Sequence, residues 1–271
     1  MRITKILNNN AVVVIDGEHE KIAVGSGVAF RKRKNDIVNI NKIEKVFTMK
    51  ENKKLEQLLS RIPEEYFILS EEIITYAMKC MGVNLNEHIH IILADHISFA
   101  IEREKEGIHL KNKLLNEIKI LYKKEFEIGL WAIKYIKEKC QIEMPVDEAA
   151  FIALHIHTMK PQGGDIRQTV RQTTIVRDMI QSITGYLQIT VEEDDIAYQR
   201  LITHLRFVLE RINRYELRTI DVEMLEMIKK KFPISFRCAT EVAKELSLLH
   251  EVTLPEEELG YITLHIERLR K

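Results

Sequence analysis

The chain has 271 residues, 45% hydrophobic and 30% charged, with 41 basic and 41 acidic side chains in balance. Such a length and composition suit two or more folded, mostly helical domains; no stretch nears the roughly 18 apolar residues of a membrane span, so no membrane insertion is expected. Three widely spaced cysteines, Cys80, Cys140 and Cys238, form no CxxC pair, which argues against a disulfide framework or structural zinc site and for a reducing, cytoplasmic compartment.

The opening segment is β in texture. Ile3, Ile6 and Leu7 lead into the turn-forming Asn8-Asn9-Asn10, and AVVVID ends in Asp16-Gly17, a hairpin signal. KIAVGSGVAF reads as a strand in which Gly25 and Gly27 mark a bulge or a close backbone approach. Arg31 to Lys34 form a basic loop, and VNINKIEKVFTM reads as a last strand. Four short strands give one sheet with one apolar face, too small to bury much core alone, so dimerisation is expected. Residues 1–56 carry twelve basic and seven acidic residues, which suggests a polyanion-binding head on an acidic body. Asn amides, basic side chains and the aromatic Phe30 are the groups that read and stack on unpaired RNA.

Beyond Lys50 the period becomes helical. Leu55, Leu58, Leu59 and Ile62 share a face, Pro63 breaks the pattern, and Ser70 reads as the N-cap of the next helix. A segment over 85–104 holds His88, His90 and His96; a long helix is expected over 111–139; Pro145 and Asp147 open a helix bearing His155. KPQGGDI at 160–166 is the clear linker. A second module follows, punctuated by Pro233 and Pro255, and its final helix carries His265. The expected architecture is multidomain: a small all-β head over 1–56, then two all-α helical-bundle modules over 57–166 and 167–271.

The two modules are copies. ADHISFAIER at 94–103 matches ITHLRFVLER at 202–211, and DEAAFIALHI at 147–156 matches EELGYITLHI at 257–266. His96 thereby aligns with His204, and His155 with His265, while His19, His88, His90, His109, His157 and His250 have no counterpart. Repeats of this length are whole duplicated domains. Two chemistries suit paired histidines. One is metal binding, although a catalytic zinc ordinarily takes three protein ligands and no HExxH is present. The other is phosphoryl acceptance, since neutral imidazole is a nucleophile near neutral pH and a phosphorylated histidine gains charge that a nearby arginine answers. Arg103, Arg206 and Arg211 are the candidates for that answer. No P-loop, GxSxG or dinucleotide fingerprint appears, so an enzyme is not expected, and no cofactor.

MRITKILNNNAVVV, GSGVAF and IEKVF resemble the co-antiterminator RNA-binding domain of the BglG/LicT/SacY transcriptional antiterminators, and the histidine repeats resemble that family's paired PTS regulation domains. The resemblance implies a dimeric β head that binds an RNA hairpin in an mRNA leader and so prevents termination. Lys5, Asn8, Asn10, Gly25, Ser26 and Phe30 match the family's RNA contacts. Members often carry Arg or Lys where this chain has Ser26, a difference that bears on hairpin preference. The resemblance also implies that His96, His155, His204 and His265 are phosphorylated by the phosphotransferase system. It implies further that the sugar-specific enzyme II represses through the first module and that the general phosphocarrier protein typically activates through the second. Two rival readings are a DNA-binding regulator with the same modules, which needs a helix-turn-helix head, and a metal-dependent hydrolase.

Overall fold

The computed structural model describes residues 1–17, 19–25, 27–43, 45–48, 61–192, 194–214 and 220–270. The chain forms two compact units. One joins Met1–Leu110 to Ile128–Gln162; the other joins Lys111–Glu127 to Gly163–Lys271. Among the described residues no helix is long and apolar enough to cross a membrane.

The head is a four-stranded antiparallel sheet in the order β1 (Arg2–Asn8), β2 (Ala11–Asp16), β3 (His19–Val24) and β4 (Lys45–Thr48). Its central register pairs Val12 with Ala23 and Val13 with Ile22. Both faces are apolar, not one, because β2 does not alternate: Ala11, Val12, Val13 and Val14 are all buried. Ile3, Val12, Val14 and Ala23 pack under Val28, Ala29 and Val38 of the loop between β3 and β4. Ala11, Val13, Ile22 and Val24 belong instead to the core of the first helical module, together with Ile62, Tyr66 and Phe67.

Two expected strands are shorter than their sequences suggest. β3 ends at Val24, and the residues after Gly25 turn back: Val28 N donates to Gly25 O and Phe30 N to Gly27 O. Gly27 sits at φ +63°, which a side chain resists. In the last segment Ile40–Lys42 is a 3₁₀ turn, because the Asn39 side chain accepts from Asn41 N and draws the backbone out of extension.

In the first unit α1 (Glu64–Met81) follows Pro63 without interruption and ends at Gly82, φ +69°. Ser70 is therefore not an N-cap. It is buried mid-helix, with its hydroxyl donating to Phe67 O at 2.7 Å. The expected helix over 53–62 lies almost wholly outside the described residues. α2 (Ile89–Lys105) packs on α1 and on α5 (Val146–Thr158).

The long helix expected over 111–139 is broken at Tyr122 into α3 (Leu115–Leu121) and α4 (Lys123–Cys140). Tyr122 is buried, with its hydroxyl 3.3 Å from Thr173 Oγ1. Accordingly α3 packs on α6 (Ile166–Leu187) and α7 (Ile196–Arg214), within the second unit. That unit is completed by α8 (Val222–Lys231), α9 (Pro233–His250) and α10 (Glu256–Leu269). Asp165 and Asp221 cap α6 and α8 with their carboxylates, and Pro233 fills the first turn of α9. Within the unit α10 packs on α7, the counterpart of α5 on α2.

Two helix glycines sit at close contacts of unequal tolerance. A methyl group on Gly129 of α4 would run into the Ala149 carbonyl of α5. One on Gly260 of α10 would meet only the ends of the Leu225 and Ile220 side chains. Gly129→Ala is expected to cost about 1–3 kcal/mol by overpacking, more than the roughly 1 kcal/mol alanine returns in a helix. Gly260→Ala is expected to be near neutral or stabilising. Urea unfolding of both variants checks the contrast; equal midpoints would contradict it.

Candidate functional site

The two histidine pairs come together as the repeat implies. His96 on α2 and His155 on α5 have ring centroids 4.8 Å apart. His204 on α7 and His265 on α10 stack at 4.3 Å with 23° between planes. The helices of each pair also carry a carboxylate that the sequence analysis did not single out, and in the first module it lies 3.1 Å from His96. Glu148 and Glu258 are both 0% exposed. Arg103 binds Glu148 through one terminal nitrogen. Arg211 grips Glu258 with Nε at 2.9 Å and a terminal nitrogen at 2.7 Å.

The geometry follows from spacing. Arg103 lies seven residues after His96, and Arg211 seven after His204; Glu148 lies seven before His155, and Glu258 seven before His265. Seven residues make about two helical turns, so both members of each set share a face. This was the available signal for the glutamates: the same residue type at the same distance in both copies. Arg206, in contrast, donates to the Leu121 carbonyl at 3.2 Å and lies over Phe207, away from this arrangement.

In the first module several polar atoms are buried without a hydrogen-bond partner, although the His96 and Arg103 side chains are partly exposed; in the second, His265 Nδ1 is likewise without one. His96 Nε2 approaches Glu148 Oε2 to 3.1 Å without the alignment of a hydrogen bond. Arg103 Nε and His155 Nδ1 are also buried with no hydrogen-bond partner. Burial, and then the neighbouring His96, pushes the His155 imidazole down to about 4, so it is neutral near pH 7. His265 is lowered too, by burial first and then by Arg268 and Arg200. Of the unmatched histidines, His90 pairs with Glu71, His109 with Glu104 and His250 with Asp178. Among the described residues no group of three or more histidines, cysteines or carboxylates is arranged to hold a metal ion.

The head residues divide into two groups. Lys5 on β1 is exposed, and Phe30 is 56% exposed with the Arg31 guanidinium 5.3 Å from its ring. Asn8 and Asn10 build the turn: Asn10 N donates to Asn8 Oδ1 at 2.8 Å, and Gly27 N donates to Asn10 Oδ1. Gly25 N donates to the Asn10 carbonyl at 2.9 Å. Asn10 and Gly25 are buried, bordering a cavity of about 680 Å³ whose other walls include Phe67, Thr75 and Trp131. Ser26 lies outside the described residues. The six residues thus cluster at one end of the sheet only in part: Asn8, Asn10, Gly25 and the turn to Phe30 are linked by hydrogen bonds, and Lys5 lies on the edge strand β1.

Residues 1–56 match the CAT RNA binding domain family, and residues 71–159 and 177–269 each match the PRD domain family. The chain is 37% identical to the transcription antiterminator LicT of Bacillus subtilis, covering all of this chain and 99% of LicT. It is 35% identical to a beta-glucoside operon antiterminator of Dickeya chrysanthemi, over all of this chain and 97% of that protein. The crystal structure of GlcT CAT-PRDI, 34% identical, superposes with a TM-score of 0.54 over 59% of this chain and 98% of that one. The basic sheet, the duplicated helical units and their matched histidine pairs therefore have one common source: the chain belongs to the family of transcriptional antiterminators that join a CAT RNA binding domain to two PRD domains.

Proposed function

We propose that this protein is a sugar-responsive transcriptional antiterminator that acts in the cytoplasm as a homodimer. Its head over 1–56 binds an mRNA leader hairpin, and the modules over 57–166 and 167–271 accept phosphoryl groups from the phosphotransferase system. The observation that carries the reading is the duplicated, half-buried pair of histidines on a chain whose head matches an RNA-binding family. The protein is a phosphoryl acceptor and regulator, not an enzyme. A sheet head does not suit the rival DNA-binding reading, which needs a recognition helix.

Support for RNA contact comes from what the head presents. Lys5 and the Arg31–Lys34 loop supply phosphate-neutralising charge, and Phe30 supplies an exposed ring. Asn8, Asn10 and Gly25 hold the turn that presents that ring, and Ser26 lies beside them in sequence. Support for association comes from apolar side chains in solvent: Ile37 and Ile40 on the head, and Val222, Met227, Leu248 and Leu249 on the second module.

Support for phosphoryl acceptance comes from burial lowering the His155 and His265 imidazoles, and from the Arg103–Glu148 and Arg211–Glu258 pairs carried on the histidine-bearing helices. Turning a mostly inactive population into a mostly active one takes about 5.5 kcal/mol. A surface ion pair contributes about 0–1 kcal/mol, so several sites in two chains must act together.

Three outcomes are expected. With the full chain, Phe30→Ala weakens binding to an imperfect RNA hairpin by about 1–3 kcal/mol while leaving the unfolding midpoint unchanged, and wild-type affinity falls steeply with salt. Fluorescence anisotropy checks this; equal affinity for duplex DNA would contradict it. Second, phosphorylated carrier proteins label His96, His155, His204 and His265 in mass spectrometry that preserves phosphoramidates. Label confined to other histidines, or an unchanged sugar response in the fourfold alanine variant, refutes the proposal. Third, folded His155 resists protonation down to about 4, whereas the unfolded chain takes the proton near 6.5. Stability therefore falls as pH drops through that interval, by up to roughly 3 kcal/mol, and not above it. The difference in urea midpoint between wild type and His155→Asn, followed from pH 4 to 7.5, reads this contribution.

A further inference from the structure

In the first module four buried polar atoms converge without hydrogen-bond partners: His96 Nε2, His155 Nδ1, Glu148 Oε2 and Arg103 Nε. Such groups are rare in native interiors and each needs a reason. The matching guanidinium–carboxylate pair of the second module is closed, with Arg211 Nε and a terminal nitrogen both spent on Glu258. The first-module pair is joined by one nitrogen and holds a donor in reserve.

We propose that Arg103 and Glu148 are the positioning residues that convert a phosphoryl group on His96 into release of helix α5: the guanidinium passes from the buried carboxylate to the phosphoryl oxygens, and Glu148 loses its partner. The proposal rests on the phosphoacceptor reading above. Before modification the Glu148 carboxylate and the Arg103 guanidinium cancel in charge. A phosphoryl group adds about −1.5 to −2 within reach of Glu148 Oε2, which stands 3.1 Å from the ring nitrogen. One arginine cannot neutralise both anions. The phosphoryl group offers three strong acceptor oxygens and the higher charge, and Arg103 already has an unspent Nε–H to give it. An ionised carboxylate left alone in a dry interior is intolerable, so α5, which carries both Glu148 and His155, parts from α2. Arg211 in the second module has no such reserve, so the same exchange there must first break a two-pronged contact. The two repeats are thus set at different thresholds.

The test uses the full chain and phosphoramidate as the phosphoryl donor. The donor's N–P bond breaks, an imidazole N–P bond forms, and the imidazole proton leaves with ammonia as ammonium. Mass spectrometry reads occupancy at His96 and His155, and backbone hydrogen exchange reads residues 146–158. Wild type is expected to take the label and to exchange at least about tenfold faster in that segment, since a unit charge at such range carries more than the energy of one decade. Glu148→Gln, at equal occupancy, is expected to lose the acceleration, and Glu148→Asp, which keeps the charge, to retain it. Equal acceleration in Glu148→Gln overturns the proposal while leaving the phosphoacceptor reading standing. A wild type unlabelled at both histidines overturns that reading and the proposal with it. If Glu148→Gln does not fold, Arg103→Lys keeps both charges but removes the Nε donor, and undiminished acceleration there overturns the proposal.

Discussion

Each helical unit is organised around a carboxylate that water does not reach. A buried ion of this kind is tolerated only beside an opposite charge, and removing one partner of such a pair typically costs about 3–5 kcal/mol. Glu148 is therefore compensated only while α5 stays against Arg103 on α2, and Glu258 only while α10 stays against Arg211 on α7. The histidines ride on these same four helices, each about two turns from the charged residue of its own helix, and His96 Nε2 lies 3.1 Å from Glu148 Oε2. In the first unit the two rings lie tilted 4.8 Å apart, in the second they stack at 4.3 Å, and burial holds the His155 imidazole neutral near pH 7. Packing, charge and reactivity in each unit are one arrangement.

Apolar burial alone would not select this arrangement. A well-packed hydrophobic substitute for a buried ion pair is often as stable or more so. Retention of the same pair in both copies, at the same distance from the same histidines, is better explained by what the charges do than by what they hold. A core that depends on charge balance responds to one added anion, whereas an aliphatic core would not.

Much of this was legible in the chain because duplication is a comparison the sequence makes with itself. His96 with His204, and His155 with His265, stand out without knowledge of their surroundings. The glutamates obey the same rule but are hidden among 41 acidic residues, and it is their matched spacing together with their depth that sets Glu148 and Glu258 apart. Local rules failed where tertiary contacts decide. Ser70 has the chemistry of a cap, yet it bonds back to Phe67 inside a helix that packing carries through. The periodicity of 111–139 passes smoothly over Tyr122, although that side chain turns into a different core from the one below it. In the head, four apolar residues in succession on β2 meant two buried faces, a pattern that composition alone reads as one good strand.

The assignment of Lys111–Glu127 to the second unit bears on how the protein is made. The first unit is discontinuous: its chain leaves at Leu110 and returns at Ile128. During synthesis α3 leaves the ribosome before α4 and α5 can finish the first core, and well before α6 and α7, on which it packs, exist. Domains generally fold as units in order of synthesis, but here one helix must wait, with Ile118 and Tyr122 uncovered, until the other half of the molecule arrives. A nascent chain stalled after the first unit would expose those side chains, and a fragment cut at the apparent linker would carry them permanently. The duplication that makes the two modules look separable at 160–166 is stitched across that boundary by a segment belonging in sequence to one copy and in structure to the other.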